Sequence, residues 1–339
     1  MFTRTILRFS LLLFFPCAAL YAQDSDLPSF AASIMQRQLR EHVDTLASSA
    51  MQGRETDSDG SRMAASYIAQ YFEKYQLKPY TTGSYLQRFN TYVRGTELEG
   101  ANVIGYIEGY EQKGEALVIS AHYDHFGMWN GITYPGADDN AAGVAALLEI
   151  AEAFVFMRNI GYAPRRTVVF IAFDAKEKNM SGSDYYTNNP LHSMQNTIAN
   201  LNMDVLGRCD MPPAGADSNY VLIVGANRIS SAMQDLSDHT NRSREVGLNI
   251  DYTYYGSETF SELMYLVSDQ SNFGRYGVPV MYYTSGMHDD LYKPTDTPDK
   301  INYDVLKKRA QLIFYTAWGL TSRRELPEKD LQAKSRRRR

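Results

Sequence analysis

The spacing of apolar residues divides the chain into a helical first part and a longer part in which strands and helices alternate. From Leu27 to about Lys78, apolar residues recur every three or four positions, which is typical of helices with one buried face. A polar, turn-rich segment at 51–60 interrupts this spacing. We therefore predict two helices joined by a loop in this part of the chain.

After Pro79, short runs rich in β-branched residues alternate with helical stretches. The run at 167–173 is apolar throughout, which is typical of a strand that is buried on both faces of a sheet. This alternation predicts an α/β sandwich with a mostly parallel central sheet. The predicted strands are 101–107, 116–122, 167–173, 198–205, 220–224, 250–255 and 278–283, and the predicted helices are 141–156, 229–241 and 304–320.

The two ends of the chain differ from its middle. Arg4 and Arg8 precede an apolar run at 9–22 that is too short to span a bilayer comfortably and ends in Ala-Leu-Tyr-Ala. We interpret residues 1–22 as a signal peptide, with an N-terminal membrane anchor as the alternative. Residues 23–325 then form a single domain with a helical N-terminal part, and 326–339 are predicted to be a basic, disordered tail. We expect export to the periplasm or the extracellular space, without stable membrane insertion after signal removal.

The composition is that of a globular protein, with 44% hydrophobic and 22% charged residues among 339. The formal net charge of −5 gives no general basis for binding nucleic acid. Cys17 and Cys209 are the two cysteines, and Cys17 leaves with the signal peptide. The mature chain therefore has no internal disulfide, and we expect its stability to come from its core or from bound metal.

Histidines and acids lie just after the predicted strands and just before one helix. Functional residues of α/β sheets gather at the carboxyl ends of strands. Two imidazoles and three carboxylates from separate strand ends would suit two divalent ions, zinc above all, with iron, manganese and cobalt as alternatives. Each segment alone could be a surface pair or a helix cap, so their combined order carries the prediction. The segments are 122–125, 136–140, 174–177, 202–204 and 286–289.

Together these motifs resemble the family-28 metallopeptidases, which include the di-zinc aminopeptidases and carboxypeptidase-like exopeptidases of bacteria. The resemblance extends over nearly the whole mature chain. It implies a three-layer α/β sandwich with a mixed, mostly parallel central sheet of the zinc-exopeptidase type. The matching segments are Gly53–Glu55, Gly60, Ser120–His125, Pro135–Val144, Phe173–Glu177, Gly182-Ser183, Asn202–Arg208, Ser268-Asp269 and His288–Thr297.

The resemblance also implies which side chains bind metal. His122 and Asp204 would bind one zinc ion, and Glu177 and His288 would bind another. Asp138 would bridge the two ions. Two zinc ions per chain are therefore expected, with one as the alternative.

Neighbouring residues receive roles from the same resemblance. Asp124 would accept the second ring N–H of His122 and so fix its tautomer. The Asp138–Asp139 peptide is expected to be cis. Tyr265 would help to polarise the substrate carbonyl, and His125 would have either an indirect role behind the ligands or a purely structural one.

One position departs from the family pattern. The family usually has two adjacent acids after this strand, the first a general base and the second a metal ligand, whereas this chain has Lys176-Glu177. The register is fixed by Gly182-Ser183, which lies at the expected distance. A lysine ammonium beside two dications must turn away, pair with a carboxylate or lose its proton, and a neutral lysine could itself act as the base.

The first functional hypothesis is an exported zinc exopeptidase, in particular an aminopeptidase, acting on peptides. A metal-bound hydroxide would attack the peptide carbonyl, and Lys176 would replace the usual glutamate base. The second hypothesis is a catalytically weak or inactive metal-binding protein that captures peptides. A glutaminyl cyclase is less favoured, because that chemistry depends even more on the acid that Lys176 replaces. The sequence does not predict the oligomeric state.

Overall fold

The structure is a computed structural model that describes residues 26–330. Residues 1–25, which include the predicted signal peptide, lie outside the described residues, as do residues 331–339 of the predicted tail. The helices are α1 (Gln36–Leu46), α2 (Asp59–Lys74), α3 (Ala142–Asn159), α4 (Ser181–Asn188), α5 (Ser231–Ser243), α6 (Glu258–Leu266), α7 (Gln270–Gly274) and α8 (Tyr303–Ser322). The strands are β1 (Lys78–Pro79), β2 (Leu86–Val93), β3 (Thr96–Ile107), β4 (Gln112–His122), β5 (Met128–Trp129), β6 (Ile132–Thr133), β7 (Arg166–Phe173), β8 (Thr197–Met203), β9 (Tyr220–Val224), β10 (Asn249–Asp251) and β11 (Val280–Thr284).

Nine of these strands form one mixed sheet in the order β1-β3-β7-β4-β8-β11-β9-β10, with β2 paired to β3. Its middle strands β7, β4, β8 and β11 are parallel to one another. On either side of them, β3 pairs antiparallel with β7 and β9 pairs antiparallel with β11. The predicted α/β sandwich with a mixed sheet and a parallel centre is therefore confirmed.

The side chains of the central strands alternate between two hydrophobic layers, as the pleat of a strand requires. In β4, Leu117, Ile119 and Ala121 pack with the layer that contains α1, α2, α3, α5 and α8. Ala116 and Val118 face the opposite layer, to which α4, α6 and α7 contribute. Helices on both faces complete the three layers and leave the carboxyl ends of the parallel strands at one edge, where the site lies.

The central helix α3 is apolar on nearly every face. It packs against α1 and α8 as well as the sheet. Within residues 26–330, Ala137–Asn159 is the one helical segment long and apolar enough to cross a membrane, and 94% of its most apolar window is buried inside the protein. Such burial is typical of the core helix of a large domain.

Candidate metal centre

Neighbouring strands bring two of the candidate ligands together. His122 is the last residue of β4, and Asp204 directly follows the adjacent strand β8. The Nε2 atom of His122 lies 3.1 Å from Oδ1 of Asp204 and 3.3 Å from Oδ1 of Asp139, which is in the helical turn that leads into α3. All three residues are buried, so the contacts are shielded from water.

Glu177 follows β7 and completes a cluster of potential metal ligands. One donor atom each from His122, Asp139 and Glu177 lies within 4.8 Å of the others. Both carboxylate oxygens of Asp139 are buried and have no hydrogen-bond partner within the described part of the chain. Buried polar atoms are normally partnered, and an imidazole with two carboxylates is a donor set that zinc accepts. The residues present therefore fit a bound metal ion.

The structure places Asp139, and not Asp138, in this cluster. The carboxylate of Asp138 instead accepts the backbone N–H of Gly207 and lies 3.3 Å from Nε2 of His288. The cis peptide bond is likewise Asp139–Asn140 and not the predicted Asp138–Asp139. The prediction that Asp138 joins His122 and Glu177 is thus wrong by one residue, because adjacent acids look equivalent in a sequence but make different contacts in a turn.

His288 lies beside Asp138. Its side chain is fully buried, and neither ring nitrogen has a hydrogen-bond partner among residues 26–330. Burial alone would lower the pKa of His288, but the Asp138 carboxylate raises it above its ordinary value. The ion-pair partner of His288 in this structure is therefore Asp138, and His288 is not one of the three residues of the cluster described above.

Lys176 lies among the carboxylates of the cluster. Its Nζ atom is 2.9 Å from Oε1 of Glu177 and 3.8 Å from one oxygen each of Asp139 and Asp204. Burial alone would lower the pKa of Lys176, but these three acids raise it well above its ordinary value. Of the three alternatives for Lys176, the structure shows the pairing with carboxylates. A charged ammonium has no lone pair, so Lys176 is not arranged to act as a base.

Asp124 fixes the turn that carries Lys176 and Glu177. Its two carboxylate oxygens accept the backbone N–H groups of these residues, each at 3.0 Å. Nδ1 of His122 is 3.1 Å from the backbone carbonyl oxygen of Asp124 and 3.6 Å from its carboxylate. Asp124 thus does accompany His122, but the nearer acceptor is its backbone, and its carboxylate positions the Lys176-Glu177 turn.

Two further residues join the segments around the cluster, and sequence reasoning gave neither a role. The side-chain amide of Asn140 donates to the backbone carbonyl groups of His122 and Met203, at the ends of β4 and β8. The fully buried Arg54 donates to four backbone carbonyl groups, those of Leu46, Tyr123, Pro135 and Gly136. Arg54 therefore connects the N-terminal helical part to both segments that flank the metal ligands, which explains its place in the motif Gly53–Glu55.

His125 is buried against Asp139. Its Nδ1 atom lies 3.8 Å from Oδ2 of Asp139, and neither ring nitrogen has a hydrogen-bond partner in the described part of the protein. Burial lowers the pKa of His125 to about 4, which outweighs the opposing effect of Asp139. His125 is therefore neutral at pH 7, and its position favours an indirect role beside Asp139 over a purely structural one.

Tyr265 lies away from the cluster. It belongs to the hydrophobic layer of α6 and α7, where the guanidinium of Arg228 stacks over its ring at 4.2 Å and its hydroxyl packs against Gly274. The prediction that Tyr265 reaches the site is therefore wrong. Tyr292 is nearer: burial raises its pKa to about 12, and the charges of Lys176 and Asp139 also act on it. The sequence offered one signal for Tyr292, its place four residues after His288.

A layer of serines and acids supports Asp204 from behind. The hydroxyl of Ser268 donates to Asp204 at 2.6 Å, and the hydroxyl of Ser183 donates to Asp269 at 2.5 Å. Gly182 is required beside Ser183, because a Cβ atom there would lie 2.1 Å from the carbonyl oxygen of Asp174. The motifs Gly182-Ser183 and Ser268-Asp269 therefore meet in the fold.

We expect the buried carboxyl group of Asp269 to make the free energy of unfolding depend on pH. Burial raises its pKa to about 6, above the value of about 4 for an aspartate in an unfolded chain. The folded protein then binds this proton more tightly, so the contribution of Asp269 to the free energy of unfolding falls as the pH rises from about 4 to 6. A shift of about two pKa units corresponds to roughly 3 kcal/mol.

We expect Asp269→Asn to gain stability relative to wild type as the pH rises through this window, measured by urea unfolding at pH 4, 5, 6 and 7. The exposed Asp235→Asn serves as the matched control. A difference between Asp269→Asn and wild type that stays constant with pH would contradict the assignment.

Imidazole and carboxylate groups gathered at the strand ends of an α/β sandwich are the donors expected of a metal-dependent enzyme. The pattern that defines Peptidase family M28 matches residues 102–317, and the chain belongs to this family. A probable glutamate carboxypeptidase of Arabidopsis thaliana is 29% identical over 233 residues, which are 65% of this chain and 30% of that protein. The chain therefore spans less than a third of the length of this relative.

Solved structures show the same fold. A zinc aminopeptidase of Bacillus subtilis superposes with a TM-score of 0.68 at 13% identity, covering 86% of this chain and 96% of that one. A glutaminyl cyclase of Bacteroides thetaiotaomicron superposes with a TM-score of 0.63 at 17% identity, covering 84% and 98%. At these identities the likeness establishes the three-layer fold, and the chemistry has to be argued from the residues.

Proposed function

We propose that this protein is an exported, zinc-dependent exopeptidase of the aminopeptidase type. The observation that carries the proposal is the buried cluster of His122, Asp139 and Glu177, with Asp204 beside it, in a chain of Peptidase family M28. The predicted signal peptide at 1–22 supports export to the periplasm or the extracellular space.

The cluster residues would hold the zinc ion. When bound, zinc would supply Lewis-acid activation of the scissile carbonyl group and of water. Two other side chains position the cluster residues. The carboxylate of Asp124 accepts the backbone N–H of Glu177 and so orients this residue, and the neutral His125 packs beside Asp139. The hydroxyl of Tyr292 is protonated at neutral pH, as a tyrosine ordinarily is, so it can donate to the substrate carbonyl in place of Tyr265.

The charges around the site favour an aminopeptidase over a carboxypeptidase. A carboxypeptidase needs a free cation for the C-terminal carboxylate of its substrate. Arg208, near His288, is already paired with Asp210 at 2.7 Å and with Asp290 at 3.1 Å, and Lys176 is paired within the cluster. Neither of these two cations is therefore free to bind the carboxylate of a substrate.

Chelation and blocked substrates test this proposal. We expect the zinc- or cobalt-loaded protein to cleave some members of a panel of aminoacyl reporter substrates slowly, because the base position is a lysine. Activity should be lost after EDTA treatment and return when zinc is restored. The same reporters with an acetylated amino group serve as matched controls and should not be cleaved. Complete absence of turnover at full metal occupancy would overturn the proposal.

The second candidate function is peptide capture without cleavage, and the ammonium at the base position favours it. Binding of a labelled peptide, measured by fluorescence anisotropy under metal-loaded conditions without any cleavage, would support this candidate. Release of ammonia from a peptide with an N-terminal glutamine would instead support glutaminyl cyclase chemistry.

A further inference from the structure

Lys176 brings its own positive charge into the ligand set. Its ammonium donates to Oε1 of Glu177 at 2.9 Å, and its Nζ atom lies 3.8 Å from both Asp139 and Asp204. Its side chain is only 8% exposed, so water screens these contacts weakly. The three carboxylates that would bind metal are thus already shared with one cation that belongs to the chain.

We propose that the ammonium of Lys176 takes the place of one divalent metal ion, so that the chain binds a single zinc ion where it would otherwise bind two. This inference rests on the proposed metal-dependent function and adds to it the number of ions and the residue that sets this number.

The charge balance of the cluster supports a single ion. Three carboxylates and one ammonium carry a net charge of about −2 when His122 is counted as the neutral imidazole that binds a metal. One dication neutralises this charge, whereas two would leave an excess of about +2 in a buried site, which is strongly unfavourable. A neutral residue at position 176 would give about −3 and a carboxylate about −4, so two dications would then leave an excess of only about +1 or none.

The contacts also indicate which ion is replaced. Lys176 is closest to Glu177, whereas Nε2 of His122 remains within 3.3 Å of both Asp139 and Asp204. His288, the predicted partner of Glu177 in the second metal site, lies against Asp138 instead. The ion retained is therefore the one bound by His122, Asp139 and Asp204, and the ion replaced is the one on the Glu177 side.

The lysine is held in this position from two ends. Its backbone N–H donates to Asp124, and its ammonium pairs with Glu177. Turning the side chain out to admit a second dication would leave the ammonium contacts of three buried acids unmade. The loss of these contacts between buried charges is costly. Binding of a second ion would therefore have to offset this loss as well as the removal of water from the ion itself.

Metal content per chain tests the inference without relying on activity. The full-length protein is stripped of metal, dialysed to equilibrium against excess zinc, and analysed by plasma emission spectroscopy and titration calorimetry. The informative variant is Lys176→Met, which keeps the length of the side chain and removes its charge. Lys176→Arg keeps the charge, and Lys178→Met removes a lysine that pairs with Glu55 outside the cluster. Circular dichroism verifies that each variant is folded, and Lys176→Gln replaces Lys176→Met if the latter is not.

We expect about one zinc ion per chain for wild type, Lys176→Arg and Lys178→Met, and about two for Lys176→Met. Two ions in both wild type and Lys176→Met would overturn the inference while leaving the proposed zinc dependence intact. One ion in both would also overturn it, because the lysine would then not set the number. No bound zinc in any of the four proteins would overturn the proposed function itself.

Discussion

Replacing Lys176 by glutamate is expected to raise the rate of peptide hydrolysis by about 10²–10⁴-fold, the range typical of a positioned general base. The substitution places a carboxylate at the turn after β7, with the backbone of residue 176 still bound by Asp124. It also removes an ammonium that is 2.9 Å from Glu177. The gain should be in kcat at saturating substrate, because the base assists the chemical step and not the binding of substrate.

The control for this experiment separates the two effects of the lysine. Lys176→Gln removes the positive charge without supplying a base, and Lys178→Glu adds an acid two residues further along. If the missing base limits the rate, Lys176→Glu should exceed Lys176→Gln, its match in expected zinc content, by at least about tenfold, and Lys178→Glu should stay at the wild-type rate. Equal rates for Lys176→Glu and Lys176→Gln would show that the ammonium alone was the obstacle. No gain in any variant would contradict the prediction and favour peptide capture.

The substitution Asp139→Asn is expected to weaken zinc binding by more than about 100-fold, whereas Asp138→Asn should weaken it by about tenfold. Asp139 lies with His122 and Glu177 in the cluster and neither of its oxygens accepts a hydrogen bond from the described residues, so its loss would remove a proposed direct ligand. Asp138 contacts His288 and Gly207, so its loss resembles the removal of an outer partner, which typically costs about 10–100-fold in metal affinity.

This pair of variants is a matched test, because the residues are adjacent, equally buried and chemically identical. Zinc affinity is measured by competition with a chromophoric chelator, and thermal unfolding without metal reports any loss of stability. A greater loss of affinity in Asp138→Asn than in Asp139→Asn would restore Asp138 as the ligand and contradict the geometry.

The parts of the fold that the sequence predicted are those with strong, regular patterns. β7 is apolar at nearly every position and α3 is apolar on almost all faces, because both lie in the centre of the sandwich. The elements that escaped prediction are at the periphery. α4 has the polar sequence Ser-Gly-Ser-Asp-Tyr-Tyr-Thr-Asn, and Tyr265 is the only buried residue of α6, so neither helix has an apolar stripe to detect.

In the candidate site, the sequence predicted the strand ends that meet but not which of two adjacent acids joins the cluster of His122 and Glu177. His122, Glu177 and Asp204 lie together because neighbouring parallel strands end at one edge of the sheet. The choice between Asp138 and Asp139 depends on the backbone of the turn, which residue types alone do not specify. The same holds for Lys176, whose three alternatives differ only in where a flexible side chain lies.

The contacts of Arg54 extend the functional unit beyond the segment that matches the family. The match begins at residue 102, whereas this guanidinium, from the turn between α1 and α2, carries much of the hydrogen bonding of the loops on either side of the ligands. A protein shortened to the matching segment would retain every proposed zinc ligand and still lose the donor for three carbonyl groups of those loops. The smallest piece of this chain that preserves the geometry of the centre therefore has to include the N-terminal helices, even though they contribute no ligand.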